Sequence, residues 1–121
     1  QFYKYEIDGF LQWGYNFYNS QLSRRRINPF MVTDADMAFP SGDSYSVYPG
    51  EDGPLLSLRA EVFADGLRDM RALKFLESLT DRQTVLDLIG DVTLTEYPLD
   101  AQYLVSLREK VNEKIAEKLG L

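Results

Sequence analysis

The chain has 121 residues, a length suited to one compact domain, and 45% of them are hydrophobic, which is enough to build a core. Its formal net charge of −6 excludes a strongly basic nucleic-acid-binding surface. It contains no Cys and no His, which excludes disulfides, thiol nucleophiles, zinc–thiolate sites and His-dependent catalytic triads. Any catalysis within the chain would therefore depend on carboxylates, Tyr or Lys.

The first predicted elements are a helix end and a strand. Residues 1–7 are aromatic and amphipathic and stop at the turn signal Asp8-Gly9, which predicts the tail of a helix. Residues 9–16 are rich in aromatic residues and bounded by glycine, which predicts a buried strand. Because the sequence opens within an element, we expect a segment of a larger protein. No run approaches the ~18 apolar residues of a membrane span.

A long polar connection separates this strand from the next. Residues 17–43 contain scattered aromatics and turn-forming Pro and Gly, and a loop of this length is usually functional. The three consecutive arginines at 24–26 are typical of a solvated loop surface. Residues 44–48 alternate in character and predict a second short strand that ends at Pro49-Gly50.

Three helices are predicted in the second half of the chain. Helical periodicity extends over 57–79, although Gly66 lies in the middle of it. Thr80 and Gln83 form a capping-box pattern that predicts the start of a second helix, which ends near residue 90. Pro98 suits the first turn of the third helix.

Two strands joined by a long connection, with a helix after the second, predict consecutive βα units of a parallel sheet. Two strands cannot close a barrel or cover both faces of a sheet. The chain is therefore either a stand-alone α+β domain or a segment of a larger one, and its opening within an element favours the segment.

Four motifs carry a resemblance to a known family. They are Tyr5-x-x-Asp8-Gly9-Phe10-Leu11-Gln12-Trp13-Gly14-Tyr15-Asn16, Asn28-Pro29-Phe30, Gly42-Asp43-Ser44-x-x-x-Tyr48-Pro49-Gly50, and Ser57-Leu58-Arg59-x-Glu61 with Asp65-Gly66-Leu67-x-Asp69. In this order and spacing they resemble the uncharacterised bacterial domain family that forms the C-terminal part of the catalytic region of family-123 glycoside hydrolases. The described enzymes of that family are β-N-acetylgalactosaminidases. The resemblance covers roughly residues 1–80.

The resemblance implies an α/β fold, namely the C-terminal fragment of a TIM-like (β/α) barrel. Residues 9–16 and 44–48 would be its last two strands, short and parallel, and residues 57–79 its closing helix. Residues 1–79 would then be the last two βα units, and residues 80–121 a helical extension packed on the same domain. In such barrels the active site lies at the C-terminal ends of the strands.

The resemblance also implies the reaction. Family members are thought to use the N-acetyl oxygen of the sugar as the nucleophile, assisted by an adjacent Asp-Glu pair on an earlier strand. No such pair occurs here, since Glu51-Asp52 has the reverse order and lies in a Gly/Pro turn. We therefore expect a fragment of a glycan-processing hydrolase that has no catalytic residues and no cofactor of its own. The enzymes it resembles are secreted or periplasmic.

Five residues are predicted to bind the sugar. Trp13 and Tyr15 offer aromatic faces, Asn16 lies at the end of the same strand, and Asp43 offers a hydrogen-bonding carboxylate. Tyr48 offers both a face and a hydroxyl. Each has a structural alternative: the aromatic side chains could pack against helices, and Asp43 could form an Asx turn.

No metal site is predicted, because Asp34, Asp36 and Asp43 lack the glycine and terminal acid of a calcium loop. The competing interpretation of the whole chain is a non-catalytic carbohydrate- or protein-binding module whose aromatics form an open platform. The chain could also belong to a protein that keeps the barrel and has lost catalysis. The exposed strand edges of a fragment would also allow a homodimer.

Overall fold

The computed structural model describes all 121 residues and contains a two-stranded sheet, three α-helices and one 3-10 turn. In chain order the elements are β1 (Val47–Pro49), β2 (Pro54–Leu56), α1 (Leu58–Leu79), α2 (Arg82–Ile89) and α3 (Ala101–Leu119). The chain divides into two compact units, which we call the loop unit (Phe10–Asp65) and the helical unit (Gln1–Gly9 with Gly66–Leu121). No helix combines the length and the hydropathy that a transmembrane span requires.

The predicted parallel strands are wrong, and with them the barrel fragment. The only sheet pairs β1 with β2 in antiparallel register, with Val47 opposite Leu56 and Pro49 opposite Pro54. Residues 50–53 connect the two strands, and so short a connection permits only a hairpin, because parallel strands need a crossover of about a dozen residues or more. The class remains mixed α/β.

Residues 9–16 do not form the predicted strand. They contribute one isolated antiparallel bridge, between Asn16 and Tyr45. The predicted burial is wrong as well, because the large apolar side chains of this stretch, Phe10, Leu11, Trp13 and Tyr15, are all exposed. Strand-like composition therefore did not translate into a strand, since β propensity describes fit to a half-buried pleated surface more than a backbone preference. The predicted second strand, 44–48, overlaps β1 only at its last two residues.

The loop unit is ordered by a small aromatic core. Tyr45 is fully buried, and its hydroxyl donates to the carbonyl oxygen of Val32 at 3.0 Å. Buried Ile27 and Ala35 complete the core. The long connection 17–43 therefore wraps around Tyr45, which gives a segment with almost no regular structure a fixed course.

The three predicted helices are present, but their starts differ from the prediction. The N-cap of α2 is Asp81, not Thr80, and Thr80 instead donates from Oγ1 to the carbonyl oxygen of Leu76 at 2.7 Å. The third helix begins after Asp100, its N-cap, so Pro98 precedes the helix. In both cases an aspartate placed next to the helix accepts a bond from a first-turn N–H, which is the preferred way to satisfy an orphan donor.

The helical unit has its own core. Its buried side chains come from the first residues of the chain, all three helices and the link between α2 and α3; they are Tyr3, Leu73, Leu76, Val85, Ile89, Val92 and Val111. Only the C-terminal part of α1 contributes to it, because Leu58, Phe63 and Leu67 in the first half of the helix are exposed. Residues 1–7 form a turn, not a helix tail, since Glu6 has a left-handed φ of 53° that ends any helical path.

Candidate functional site

The structure brings two of the predicted site residues into direct contact. The indole Nε1–H of Trp13 donates to Oδ2 of Asp43 at 3.1 Å. The neighbouring Gln12 side chain donates to the backbone oxygen of Asp43 at 2.9 Å. Asp43 is thus held from both sides, and it holds the indole in one orientation while 47% of Trp13 stays exposed.

Two further aromatic rings support the indole. The ring centroids of Phe39 and Phe17 lie 4.4 Å and 5.5 Å from that of Trp13, and we call these three residues the indole cluster. Phe17 and Phe39 also contact each other edge-on, with centroids 6.4 Å apart. Tilted and edge-to-face pairs of this kind each contribute ~0.5–1.5 kcal/mol beyond area burial. The indole is therefore a rigid and partly exposed apolar surface.

Gly14 explains how Trp13 reaches Asp43. A Cβ at this position would lie 2.7 Å from the Cα of Ser44 and 2.9 Å from the carbonyl oxygen of Asp43. Only glycine allows the two backbones to approach so closely. Alongside, the carbonyl oxygen of Tyr15 accepts from the backbone N–H of Ser46 at 2.7 Å. The segments 13–17 and 43–46 consequently lie side by side.

The remaining predicted residues are arranged differently. Tyr15 is exposed and contributes its backbone carbonyl to this pairing, while Asn16 lies next to it in the bridge to Tyr45. Tyr48 lies in β1 in a second aromatic group, which we call the tyrosine cluster, formed by Tyr18, Tyr45 and Tyr48. The ring contacts of Tyr48 are with Tyr45 and Phe30, whereas those of Trp13 are with Phe17 and Phe39.

The inner members of the tyrosine cluster have structural roles. Burial raises the pKa of Tyr45 and of Tyr18 above the ordinary tyrosine value, so both hydroxyls stay protonated at neutral pH. The Tyr18 hydroxyl donates to the carbonyl oxygen of Val47 at 2.7 Å. Tyr48 is the outer member, and its ring contacts that of Phe30 with centroids 5.3 Å apart.

Arg59 is the residue of this region that sequence reasoning missed. It lies in the first turn of α1, and its Nε and Nη2 both donate to the carbonyl oxygen of Tyr45, at 3.0 and 2.7 Å. Nη2 also donates to the Tyr48 hydroxyl at 3.0 Å. The guanidinium also lies against Gly42, where a Cβ would be 2.6 Å from Nη1 of Arg59, and no local sequence pattern indicates these contacts.

The acidic residues of the loop do not assemble into a cation site. Asp36 accepts from Nη2 of Arg25 at 2.6 Å, so part of the arginine run is used in an ion pair. No group of three or more Asp and Glu side chains in the chain is arranged to hold a metal ion. The three residues 35–37 all have left-handed φ values of 53°, 63° and 61°, and this turn leads the chain into Phe39 of the indole cluster.

Comparison with known proteins identifies the family to which the chain is related. The family described as "Glycoside hydrolase 123, catalytic domain" matches residues 1–76, more than half of the 121 residues. The chain belongs to this glycoside hydrolase 123 family. No curated protein matches it.

The family match confirms the resemblance to family-123 glycoside hydrolases. The matched stretch contains the indole cluster, Asp43, the tyrosine cluster and Arg59, and it ends inside α1. The helices α2 and α3 lie beyond it. Every residue predicted from the sequence to bind sugar therefore falls within the glycoside hydrolase 123 region, although the match alone assigns no role to any of them.

Proposed function

We propose that this chain contributes one wall of the sugar-binding pocket of a glycoside hydrolase 123 catalytic domain. The observation that carries the proposal is the Trp13–Asp43 pair, in which a half-exposed indole is fixed by a carboxylate. A sugar ring has an apolar C–H face and polar hydroxyls at its edge. The indole offers a stacking surface for the first, and Asp43 offers a hydrogen-bond acceptor for the second.

The rigidity of the indole supports this proposal. A free tryptophan side chain would lose conformational freedom on binding, which would offset part of the stacking energy. Phe17, Phe39 and the hydrogen bond to Asp43 already hold the ring of Trp13 in place. The surface is therefore preorganised for its ligand.

The same proposal places the catalytic acids outside this chain. The sequence contains no Asp-Glu dipeptide, which is the pair that the family resemblance leads us to expect. The chain would then bind sugar without hydrolysing it. We expect no hydrolysis of an aryl N-acetyl-β-galactosaminide by the purified chain, and turnover proportional to its concentration would contradict this part.

Sugar binding is tested by titrating the chain with N-acetylgalactosamine and following amide chemical shifts. Trp13→Ala should weaken binding about 2- to 10-fold, which corresponds to the ~0.5–1.5 kcal/mol of one aromatic contact. Asp43→Asn should weaken it as well, because the amide must point its oxygen at the indole and then offers only NH₂ donors to the sugar. The matched control is Tyr97→Ala, an equally exposed aromatic outside the matched region. Equal losses in Trp13→Ala and Tyr97→Ala would contradict the proposal.

A non-catalytic binding module is the second candidate. It is favoured by the number of half-exposed aromatic side chains in the loop unit, among them Phe10, Tyr15 and Phe30. On this interpretation the chain would bind a glycan chain or a protein on an open platform, and Tyr15→Ala and Phe30→Ala would each weaken binding as much as Trp13→Ala. If only the substitutions at Trp13 and Asp43 weaken binding, the result favours the pocket-wall proposal over the open platform.

A further inference from the structure

Arg59 connects three points of the loop unit. Two of its nitrogens donate to the carbonyl oxygen of Tyr45, and one donates to the Tyr48 hydroxyl. Its Cζ also lies 5.9 Å from the centroid of the Tyr48 ring. The guanidinium passes directly over Gly42, where a Cβ would lie 2.8 Å from Cζ. The side chain is therefore fixed, and so is the bond that it makes to Tyr48.

The chemistry of the two groups sets the direction of that bond. A guanidinium carries only hydrogen-bond donors and stays protonated at any ordinary pH. A phenol hydroxyl can donate one hydrogen bond and also accept hydrogen bonds through its oxygen. Arg59 must donate, so the Tyr48 oxygen accepts. The hydroxyl proton of Tyr48 has no acceptor within the chain. Tyr48 is thus left with a proton to donate to something outside the chain.

We propose that Arg59 is a positioning residue that makes Tyr48 a hydrogen-bond donor toward an acceptor oxygen of the bound sugar, such as its N-acetyl carbonyl or a hydroxyl oxygen. The inference rests on the proposed function. Tyr48 then selects ligands that present an acceptor at this point, and Arg59 acts on the ligand only through the Tyr48 hydroxyl.

A double-mutant cycle separates this role from a merely structural one. The variants are Arg59→Met, which keeps the length of the stem but has no donors, Tyr48→Phe, which lacks the hydroxyl, and the two combined. The dissociation constant of N-acetylgalactosamine is measured for all four proteins by the same chemical-shift titration. Each single substitution should raise it roughly 3- to 10-fold, the range for one neutral hydrogen bond. The dissociation constant of the double variant should equal that of Tyr48→Phe alone.

A structural role predicts a different pattern. If Arg59 only holds the loop together through Tyr45, its loss weakens binding by the same factor whether or not the Tyr48 hydroxyl is present. Equal factors in the two backgrounds therefore overturn the inference and leave the proposed function standing. Failure of the unaltered chain to bind N-acetylgalactosamine overturns the proposed function and this inference with it.

Arg59→Lys provides a second variant if Arg59→Met does not fold. Lysine keeps a donor-only cation, but one ammonium cannot reproduce the planar fork that contacts Tyr45 and Tyr48 together. We expect a smaller rise in the dissociation constant than for Arg59→Met, and no rise in the Tyr48→Phe background. A rise of equal size in both backgrounds again overturns the inference.

Discussion

Gly14 shows how one residue without a side chain shapes the candidate site. The backbones of segments 13–17 and 43–46 approach closely only because nothing projects from this position, and that approach brings the Trp13 indole to Asp43. The obstacle to a larger residue is backbone, the Cα of Ser44 and the carbonyl oxygen of Asp43, so it cannot move aside as the tip of a flexible side chain would.

Gly14→Ala should destabilise the loop unit by about 1–3 kcal/mol, the usual cost of overpacking. It should also weaken sugar binding, because the displaced segment carries Trp13 away from Asp43. The free energy of unfolding is measured by urea titration, with the amide signals of the loop unit as the probe.

Gly66→Ala is the matched control, since a Cβ at this helical position meets nothing within 4 Å. It should stabilise α1 by roughly 0.5–1 kcal/mol, because alanine loses less backbone entropy than glycine on folding. A change of the same sign in the free energy of unfolding for both substitutions would contradict the steric explanation for Gly14.

At the level of single elements, the start of α2 is set by one carboxylate. Asp81 accepts from the backbone N–H of Thr84 at 2.9 Å and from its hydroxyl at 2.8 Å. These two bonds lower the pKa of Asp81 below its usual value, the backbone bond being the larger cause. The cap therefore favours the ionised form.

Asp81→Ala should lower the melting temperature at neutral pH and have little effect in acid. The folded-state pKa is depressed, so the stabilisation is present above the unfolded value of about 4 and is lost as the pH falls through the lower folded value. The difference in melting temperature between the two proteins is measured by calorimetry at neutral pH and near pH 2. Asp91→Ala removes an equal charge without removing a cap. A difference that stays constant over this pH range, or one matched by Asp91→Ala, would argue against the cap.

Elements built from local pattern were predictable, and elements that depend on distant partners were not. The periodicity over 57–79 is a local property, and α1 occupies that stretch. The aromatic run at 9–16 has the composition of a strand, but its pairing is limited to one antiparallel bridge at its last residue, Asn16, and no sequence window contains that information. The hairpin was missed because the second predicted strand was ended at Pro49-Gly50 and no strand was predicted after it, although proline is tolerated in a two-stranded sheet with an open edge.

In the candidate site, too, single residues could be predicted from the sequence, whereas the contacts between distant residues could not. Trp13 and Asp43 could be named from their chemistry, but their contact depends on the fold and on Gly14. Arg59 could not be assigned, because its partners Tyr45 and Tyr48 precede it by 14 and 11 residues. Phe39 was only one of the scattered aromatics of the long connection, and it contacts the Trp13 ring after the left-handed turn at 35–37.

Over the whole chain, several long-range contacts connect the first residues to the helices of the second half. The Tyr3 hydroxyl donates to Oε2 of Glu77 at 2.8 Å, and the Arg82 guanidinium lies over the Tyr3 ring at 5.2 Å. Tyr3 is buried in the core of the helical unit. Burial, followed by the hydrogen bond to Glu77, raises the pKa of Tyr3 to about 12 from 10.0.

The helical unit should therefore lose stability between about pH 10 and pH 12. In this window the unfolded chain releases the phenol proton while the folded chain still retains it, so unfolding becomes more favourable as the pH rises. Calorimetry across this range should show the melting temperatures of the unaltered chain and Tyr3→Phe converging. The control is Tyr5→Phe, because Tyr5 is exposed and makes only a 3.5 Å contact to the carbonyl oxygen of Val92. Parallel curves for the unaltered chain and Tyr3→Phe would contradict the assignment to Tyr3.

Trp13 is the chain's single tryptophan, and it lies in the loop unit. Fluorescence excited beyond the absorption of tyrosine therefore comes from this one ring, while two of the three helices that dominate far-ultraviolet circular dichroism, α2 and α3, belong to the helical unit. The two optical signals consequently follow different halves of the same molecule. Recorded together during denaturation, they show directly whether the two units unfold as one cooperative body or independently.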